Sequence, residues 1–177
     1  MRKILARGAG KIGALISGLL AESGDYDVAL ADVDGNASAA VAKAHGSERL
    51  TAHAVDATQR KSLDAFLATH KIDAVVSSLP YYCNPVVAAA ARKADAHYFD
   101  LTEDVTVTRA VRRIARGAKR AFVPQCGLAP GFISIAANEL TTHFDEPRTI
   151  KLRAGARPQH PNNVLKYSLT WSTEGLI

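Results

Sequence analysis

Residues 3–13 read Lys3-Ile4-Leu5-Ala6-Arg7-Gly8-Ala9-Gly10-Lys11-Ile12-Gly13, and this stretch decides the fold. A short apolar strand precedes the glycines, and the Ala-, Leu- and Ile-rich run over 14–22 is typical of a helix. The G-x-G-x-x-G spacing in that setting predicts a dinucleotide-binding turn. Its glycines give a tight turn, close backbone approach to a pyrophosphate and close helix packing. The alternative is a glycine-rich turn that only joins a strand to a helix.

Asp32 follows the second predicted strand, residues 28–31. A carboxylate at this point accepts hydrogen bonds from the adenosine ribose and repels a 2′-phosphate. Val33 and Asp34 come next, with no arginine to hold such a phosphate. The sequence therefore predicts NAD as the cofactor, with NADP disfavoured. Arg7 replaces the small or apolar residue usual before the glycines, and it either reaches toward the phosphates or weakens the site.

Strands and helices alternate along the rest of the first 146 residues. Further strands are predicted at 50–55, 74–78, 97–100 and 121–123, with helices at 37–44, 59–69, 85–93 and 132–142. Side-chain caps of the intervening helices are expected at Thr58, Asn84 and Thr102. This rhythm predicts a doubly wound, parallel Rossmann sheet with strand order 3-2-1-4-5-6.

Composition excludes several classes of protein. The chain has 177 residues, 47% hydrophobic and 22% charged, which is typical of a globular domain. The net charge of +5 is concentrated in the basic run over 109–120, which lacks the aromatic residues of a nucleic-acid surface and is interpreted as a solvated helix face. No apolar run is long enough for a membrane span. Cys83 and Cys126 show no metal or disulfide spacing, and the histidines show none for a metal, so we expect no metal site and a cytoplasmic location.

From Pro147 the pattern changes. Residues 149–154 and 165–171 alternate polar and apolar side chains, as in an antiparallel sheet with one wet face. We therefore expect a dinucleotide-binding domain over 1–146 and the beginning of an α+β substrate or dimerisation domain over 147–177, which is apparently truncated. An unfinished sheet has an exposed edge, so a homodimer is expected.

Several motifs occur together and in order: the glycine turn at 8–13, Val55-Asp56-Ala57-Thr58, Ser78-Leu79-Pro80-Tyr81, Asp100-Leu101-Thr102-Glu103, Gly127-Leu128-Ala129-Pro130-Gly131 and Thr170-Trp171-Ser172-Thr173-Glu174-Gly175. In this combination the chain resembles the saccharopine dehydrogenase family, and the element at 127–131 is the most specific part of the likeness. The resemblance implies a catalytic domain inserted after the sixth strand. It also implies hydride transfer between a nicotinamide cofactor and a C–N carbon of an amino-acid substrate such as lysine or saccharopine.

The expected cofactor contacts lie in the glycine turn and at the strand ends. They are Gly8, Ala9, Gly10, Lys11, Ile12, Gly13, Asp32, Val33, Asp56, Ala57, Ser78, Leu79, Pro80 and Thr102. Asp56 is either an adenine contact or a plain turn residue, and Thr102 is either a contact or a helix cap.

Three residues are expected to act on the substrate. Asp100 is interpreted as a strand-end carboxylate that pairs with a substrate ammonium or moves its proton. Glu103 has the same chemistry, with a place near a helix start as the alternative. Cys126 either contacts nicotinamide or substrate, or packs as a small apolar residue. The helix after Gly131 is expected to direct its N-terminus at a substrate carboxylate.

Two functions from different classes remain open on the sequence. The first is an NAD-dependent oxidoreductase of the saccharopine dehydrogenase type. The second is a non-catalytic dinucleotide-binding protein or a fragment of the enzyme, which Arg7 and the early stop favour. A short-chain reductase is excluded because no Tyr-x-x-x-Lys pair follows the fourth strand.

Overall fold

The computed structural model describes residues 1–155, 160 and 163–164. Within this part, six strands form one sheet in which every pair is parallel, in the order β3-β2-β1-β4-β5-β6. The strands are β1 (Arg2–Arg7), β2 (Tyr26–Asp32), β3 (Leu50–Ala54), β4 (Ala74–Ser77), β5 (His97–Asp100) and β6 (Phe122–Val123). The predicted Rossmann topology is confirmed.

Six α-helices connect and follow the strands in the described residues. They are α1 (Lys11–Glu22), α2 (Gly35–His45), α3 (Arg60–His70), α4 (Asn84–Lys93), α5 (Val105–Ile114) and α6 (Phe132–Thr141). A 3-10 turn over Tyr81–Cys83 precedes α4. No described helix is long and apolar enough to cross a membrane.

Alternation along the strands divides the core into two layers. Leu5 of β1 packs with apolar residues of α3, α4 and α5, whereas Ile4 and Ala6 pack with α1 and α2 on the opposite face. Successive strand side chains point to opposite faces, so a parallel sheet with helices on both sides buries each strand completely. Arg7 has the same parity as Leu5, which places its side chain in the α3–α5 layer.

Three expected helix caps are wrong. Thr58 directs its backbone N–H and its hydroxyl to Asp56 Oδ1, at 2.8 and 2.7 Å, so it belongs to the turn rather than to α3. Asn84 is the first residue of α4, and its Oδ1 accepts from Ser77 Oγ at 2.8 Å. Asp104, and not the expected Thr102, caps α5 by accepting from the Val107 N–H at 2.6 Å. In each case a nearer acceptor or donor competes successfully with the helix end.

The strand expected at 149–154 is also wrong. Residues 147–155 contain neither helix nor strand and pair with none of the six strands. Alternating polar and apolar side chains give a segment one apolar face. The segment forms a strand only if a neighbouring strand also pairs with its backbone N–H and C=O groups. The second expected strand, 165–171, lies outside the described residues, so the proposed division at residue 146 stays a prediction.

Helix α6 leaves the sheet without burying any of its residues. Phe132 and Ile135 are 63% and 70% exposed, and Leu140 is 61% exposed. Several large apolar side chains exposed on one helix favour a surface that another body covers.

Candidate functional site

The turn between β1 and α1 is built so tightly that two of its glycines are required. Gly8 has φ +94°, a conformation that side chains disfavour, and its N–H donates to the Ala31 carbonyl at 2.9 Å. A Cβ at Gly13 would overlap the Gly8 carbonyl oxygen and lie 2.7 Å from Ser78 Oγ. These two glycines are therefore needed for the packing of the turn itself.

Gly10 differs from the other two, because a Cβ added there would meet no atom of the described residues within 4 Å. Its φ of −71° suits any residue. Packing within the chain therefore gives no reason for a glycine at this exposed position. A ligand that approaches the backbone would be such a reason, and close approach of the pyrophosphate is the predicted role of the second glycine in the fingerprint.

Helix α1 begins directly after Gly10, and none of the described side chains caps its N-terminus. The first amides of a helix of 12 residues lack intrahelical acceptors, and the helix dipole places positive potential at that end. Lys11 and Ile12 lie exposed in this first turn. With Gly10 open beside them, these N–H groups fit the phosphates of a dinucleotide.

Asp32 holds the glycine turn from the end of β2. Its Oδ2 accepts from the Ala9 N–H at 2.7 Å, and its Oδ1 accepts from the Asp34 N–H at 3.0 Å. Burial alone would raise the pKa of Asp32, but these hydrogen bonds and the charge of Arg7 outweigh burial and lower that pKa. Asp32 is therefore ionised at neutral pH, and lone pairs remain on both oxygens for ribose hydroxyls.

Ser78 joins the fourth strand to the turn. Its Oγ donates to the Arg7 carbonyl at 2.8 Å and lies 3.4 Å from the Gly8 carbonyl oxygen. The side chain of Leu79 comes within 3.3 Å of a Cβ built on Gly8. Because β1 and β4 are neighbours at which the strand order reverses, this is the point where doubly wound sheets bind nucleotides.

The residues after β2 and β3 complete the carboxyl edge of the sheet beside the glycine turn. After β2, Val33 is 72% exposed; after β3, Asp56 is half-buried and Ala57 is buried. The Val55 N–H donates to the Asp32 carbonyl at 2.8 Å, which ties the loop after β3 to the end of β2. The predicted contacts of the adenosine half therefore share one edge of the sheet with the glycine turn and with Leu79 and Pro80.

The side chain of Arg7 is buried within the protein, so of its two expected roles the one in which it reaches out toward the phosphates is wrong. The residue is 1% exposed, and its Nη2 donates to the Val55 carbonyl at 2.8 Å. Within the described residues, its Nε and Nη1 are buried with no hydrogen-bond partner. Strand alternation could have predicted this direction, because Arg7 shares the face of buried Leu5.

Asp100, at the end of β5, lies in a second group of residues, separate from the glycine turn, and this group also contains Thr102, Glu103 and Cys126. It is fully buried and accepts from Tyr98 Oη at 2.8 Å, from the Thr102 N–H at 3.0 Å and from the Gln125 N–H at 3.2 Å. A carboxylate with this set of donors positions the two loops after β5 and β6. Direct contact with a substrate would require these hydrogen bonds to break, so we assign Asp100 a positioning role in this conformation.

The other residues of the second group differ in access. Thr102 is buried and its Oγ1 accepts from the Asp104 N–H at 3.1 Å, whereas Glu103 is exposed. Cys126 is half-buried and its Sγ donates to the Asp100 carbonyl at 3.1 Å. Burial and the charge of Asp100 raise the pKa of Cys126, so this residue is a protonated thiol at neutral pH.

The thiol of Cys126 is expected to react slowly with iodoacetamide. In a Cys83→Ala variant, we expect alkylation at about pH 8 to be at least tenfold slower than that of a cysteine peptide, because only the thiolate reacts. The rate is expected to keep rising beyond about pH 9, where a peptide thiol of pKa about 8.5 levels off. A pH–rate profile measured by mass spectrometry checks this. A plateau at or below the peptide's pKa contradicts it.

The turn before α6 is also compact. The Phe132 N–H donates to the Gly127 carbonyl at 2.8 Å, and Gly131, at φ +133°, packs so closely on Gly127 that a Cβ there would overlap it. This turn follows β6, so α6 begins beyond the carboxyl end of the sheet, as the sequence indicates. In the part of the chain that the structure describes, no three metal-ligating side chains come together.

Comparison with known proteins gives a consistent family and fold. The model of the saccharopine dehydrogenase NADP binding domain matches residues 4–126. Saccharopine dehydrogenase (L-Glu forming) from Saccharomyces cerevisiae is 24% identical over 99% of this chain and 40% of its own, with a TM-score of 0.76. A putative myo-inositol dehydrogenase from Sinorhizobium meliloti is 23% identical over 81% of this chain and 41% of its own, with a TM-score of 0.57.

A third similar structure is an NAD binding oxidoreductase from Klebsiella pneumoniae. It is 19% identical over 80% of this chain and 39% of its own, with a TM-score of 0.55. At these identities the structural matches establish the fold alone. This chain spans about two fifths of the length of each of the three solved proteins.

Proposed function

The chain belongs to the saccharopine dehydrogenase NADP binding domain family, and from this premise we propose that it is the dinucleotide-binding part of an NAD-dependent oxidoreductase of the saccharopine dehydrogenase type. The observation that carries the proposal is the open space at Gly10 beside the uncapped start of α1. The proposed substrate is an amino acid that resembles lysine or saccharopine and reacts at a C–N bond.

In this proposal the bound dinucleotide supplies the hydride acceptor or donor, and the protein supplies position and charge. The amides after Gly10 hold the phosphates, and Asp32 accepts from the adenosine ribose. Ser78, Leu79 and Pro80 line the cofactor on the other side of the turn. When a hydride leaves the substrate carbon, an imine forms, and the proton released from nitrogen needs an acceptor. Glu103 is the proposed acceptor because it is exposed, and Asp100 holds the loop that carries it.

NAD is proposed over NADP because Asp32 is an ionised carboxylate at the ribose position. We expect purified protein to bind NADH at least about tenfold more tightly than NADPH, since like charges at close range repel by more than about 1 kcal/mol. Asp32→Asn is expected to remove most of this preference. Fluorescence titration with each nucleotide measures it.

Asp27→Asn is the matched control, because it removes the same charge from the half-buried start of β2, where Asp27 Oδ1 lies 3.4 Å from Arg49 Nη1. It is expected to leave the preference unchanged. Equal affinity for the two nucleotides in the wild-type protein contradicts the assignment of NAD. Failure to bind either nucleotide contradicts the whole proposed function.

A second candidate is a protein that binds the dinucleotide without catalysis. The observation in its favour is that Asp100 and Cys126 are both engaged within the protein, Asp100 as a hydrogen-bond acceptor and Cys126 as a donor. Incubation of the protein and NAD with lysine or saccharopine distinguishes the two candidates. Formation of NADH supports the enzyme, whereas binding without turnover of these amino acids supports the second candidate.

Two further parts of the proposal concern the setting of the protein. We propose a cytoplasmic location, supported by the two free thiols. We also propose a homodimer, supported by the apolar exposure of α6 and by an apolar groove of about 480 Å³ lined by Ile4, Ile16, Leu20, Val76 and Phe99. No nucleic-acid or membrane partner is proposed, and the small-molecule partner is the amino acid.

A further inference from the structure

Arg7 places a buried positive charge beneath the edge at which the adenosine half of a dinucleotide is proposed to bind. It pairs in register with Ala31 on one side and Ser77 on the other, so it ends the central strand between the ends of β2 and β4. Its Nη2 bonds the Val55 carbonyl, which directly precedes Asp56. Arg7 therefore ends the strand next to β2, whose last residue is Asp32, and its guanidinium bonds the residue that precedes Asp56.

The electrostatic coupling among these groups is mutual. Burial lowers the pKa of Arg7, and the charges of Asp32, Asp56 and an ionised Cys83 oppose that effect. Burial raises the pKa of the Cys83 thiol, which favours its neutral form. In return, the charge of Arg7 lowers the pKa of each carboxyl group. Arginine stays protonated in proteins, so this edge has one fixed positive and two negative charges.

The guanidinium is not consumed by an ion pair. Among the described residues no carboxylate hydrogen-bonds it, and its Nε and Nη1 have no partner at all. A buried charge without a direct partner costs stability, and its field is screened less than that of a surface charge. For a protein that needed only a dinucleotide turn, a small or apolar residue would serve better at this position.

We propose that Arg7 is a specificity-determining residue: it offsets the carboxylates of Asp32 and Asp56 and so lets the adenosine subsite accept dinucleotides with a 2′-phosphate as well as those without one. This inference rests on the proposed dinucleotide binding and sets the strength of the NAD preference that Asp32 creates. In this proposal Arg7 acts through the charge of the subsite. A purely structural role for Arg7 would not change the relative affinity for the two nucleotides.

The test is the ratio of NADPH affinity to NADH affinity, measured by fluorescence titration at about pH 8, where a phosphate monoester of second pKa about 6 is fully ionised. Wild-type protein is expected to bind both nucleotides. In Arg7→Met the ratio is expected to fall at least about fivefold, because only NADPH brings the extra negative charge. Arg116→Met, which removes an exposed arginine remote from this edge, is the matched control and is expected to leave the ratio unchanged.

Arg7→Lys keeps the proposal testable if Arg7→Met fails to fold. Burial lowers the pKa of a lysine, so the ratio is expected to stay within about twofold of wild type at about pH 7.5 and to fall as the pH rises and the lysine loses its charge. Wild-type protein, with a permanently charged arginine, is expected to show no such fall.

Three results with the variants overturn the inference: an unchanged ratio in Arg7→Met, an equal fall in Arg116→Met, or an Arg7→Lys ratio that is independent of pH. Binding of NADH with no measurable binding of NADPH in wild-type protein also overturns it, while leaving the proposed function intact. Binding of neither nucleotide overturns the proposed function instead, so the two failures are distinguishable.

Discussion

Gly13→Ala is expected to unfold the turn between β1 and α1 and to abolish dinucleotide binding. The new Cβ would overlap the Gly8 carbonyl oxygen and would also lie within 3 Å of Ser78 Oγ and of the Gly8 carbonyl carbon. Most of these atoms belong to the backbone, so the strain cannot be relieved by rotation of a side chain. Overpacking of this kind costs about 1–3 kcal/mol or more. Thermal unfolding and NADH titration measure the two effects.

Gly10→Ala is the matched control, because the same methyl group is added two residues away from Gly8. There it meets no atom within 4 Å in the part of the chain that the structure describes, and it suits the backbone angle. Stability is therefore expected to change by less than about 1 kcal/mol. NADH affinity is nevertheless expected to fall at least about tenfold, because the methyl group occupies the space assigned to the pyrophosphate.

The contrast between the two variants is the informative result. Loss of binding with full stability in Gly10→Ala identifies the open space as a ligand site. Unchanged NADH affinity in that variant contradicts the assignment of the phosphate turn. A Gly13→Ala variant as stable as wild type contradicts the described packing of α1 on β1.

Asp100→Ala is expected to destabilise the protein by at least about 3 kcal/mol, because each buried donor left without an acceptor costs about 1–3 kcal/mol. The N–H groups of Thr102 and Gln125 lose their acceptor, and Tyr98 Oη keeps only its longer contact of 3.4 Å with the Asn84 carbonyl. For a chain of this size the expected decrease in melting temperature is roughly 6–12 °C. Differential scanning calorimetry measures it directly.

Tyr98→Phe separates the hydrogen-bond network from general packing. It removes one of the three donors and keeps the stacked ring contact with Phe122, whose centroid lies 5.6 Å away. A loss of about 2 kcal/mol is expected, in the range for a hydrogen bond to a charged group. If Asp100→Ala melts within 2 °C of wild type, on the scale of about 1 kcal/mol, the carboxylate does not hold these loops.

Most of the sheet followed from local patterns. The order of strands β1–β6 was predictable because parallel strands joined by helices leave few right-handed arrangements. The bounds of β5 were predicted correctly, and most other bounds differed by one or two residues. The segment at 149–154 was not predictable, because its alternation says nothing about whether a neighbouring strand exists.

For the site, features that depend on residues close in sequence could be predicted, whereas contacts between residues far apart in sequence could not. The glycine turn is local, so its three glycines could be identified from spacing alone. Asp32 is predicted as a ribose ligand from its place after the second strand, but its bond to the Ala9 N–H joins residues 23 positions apart and leaves no local trace in the sequence. The sequence predicts a reactive carboxylate at Asp100, because a strand-end position is visible in the sequence, whereas its hydrogen bonds from Tyr98 Oη and the Gln125 N–H are not.

The hydrogen bond from Ser78 to the Arg7 carbonyl links residues 71 positions apart. At about 5–20 residues per second, a ribosome makes the second partner roughly 4–14 s after the first. During that interval the nascent chain has its glycine motif, but β1 lacks its neighbour β4 and the turn lacks its serine. The edge of β1 that later pairs with β4 therefore stays open to chaperones and to incorrect strand pairing. Nucleotide binding can stabilise only a chain synthesised past Ser78.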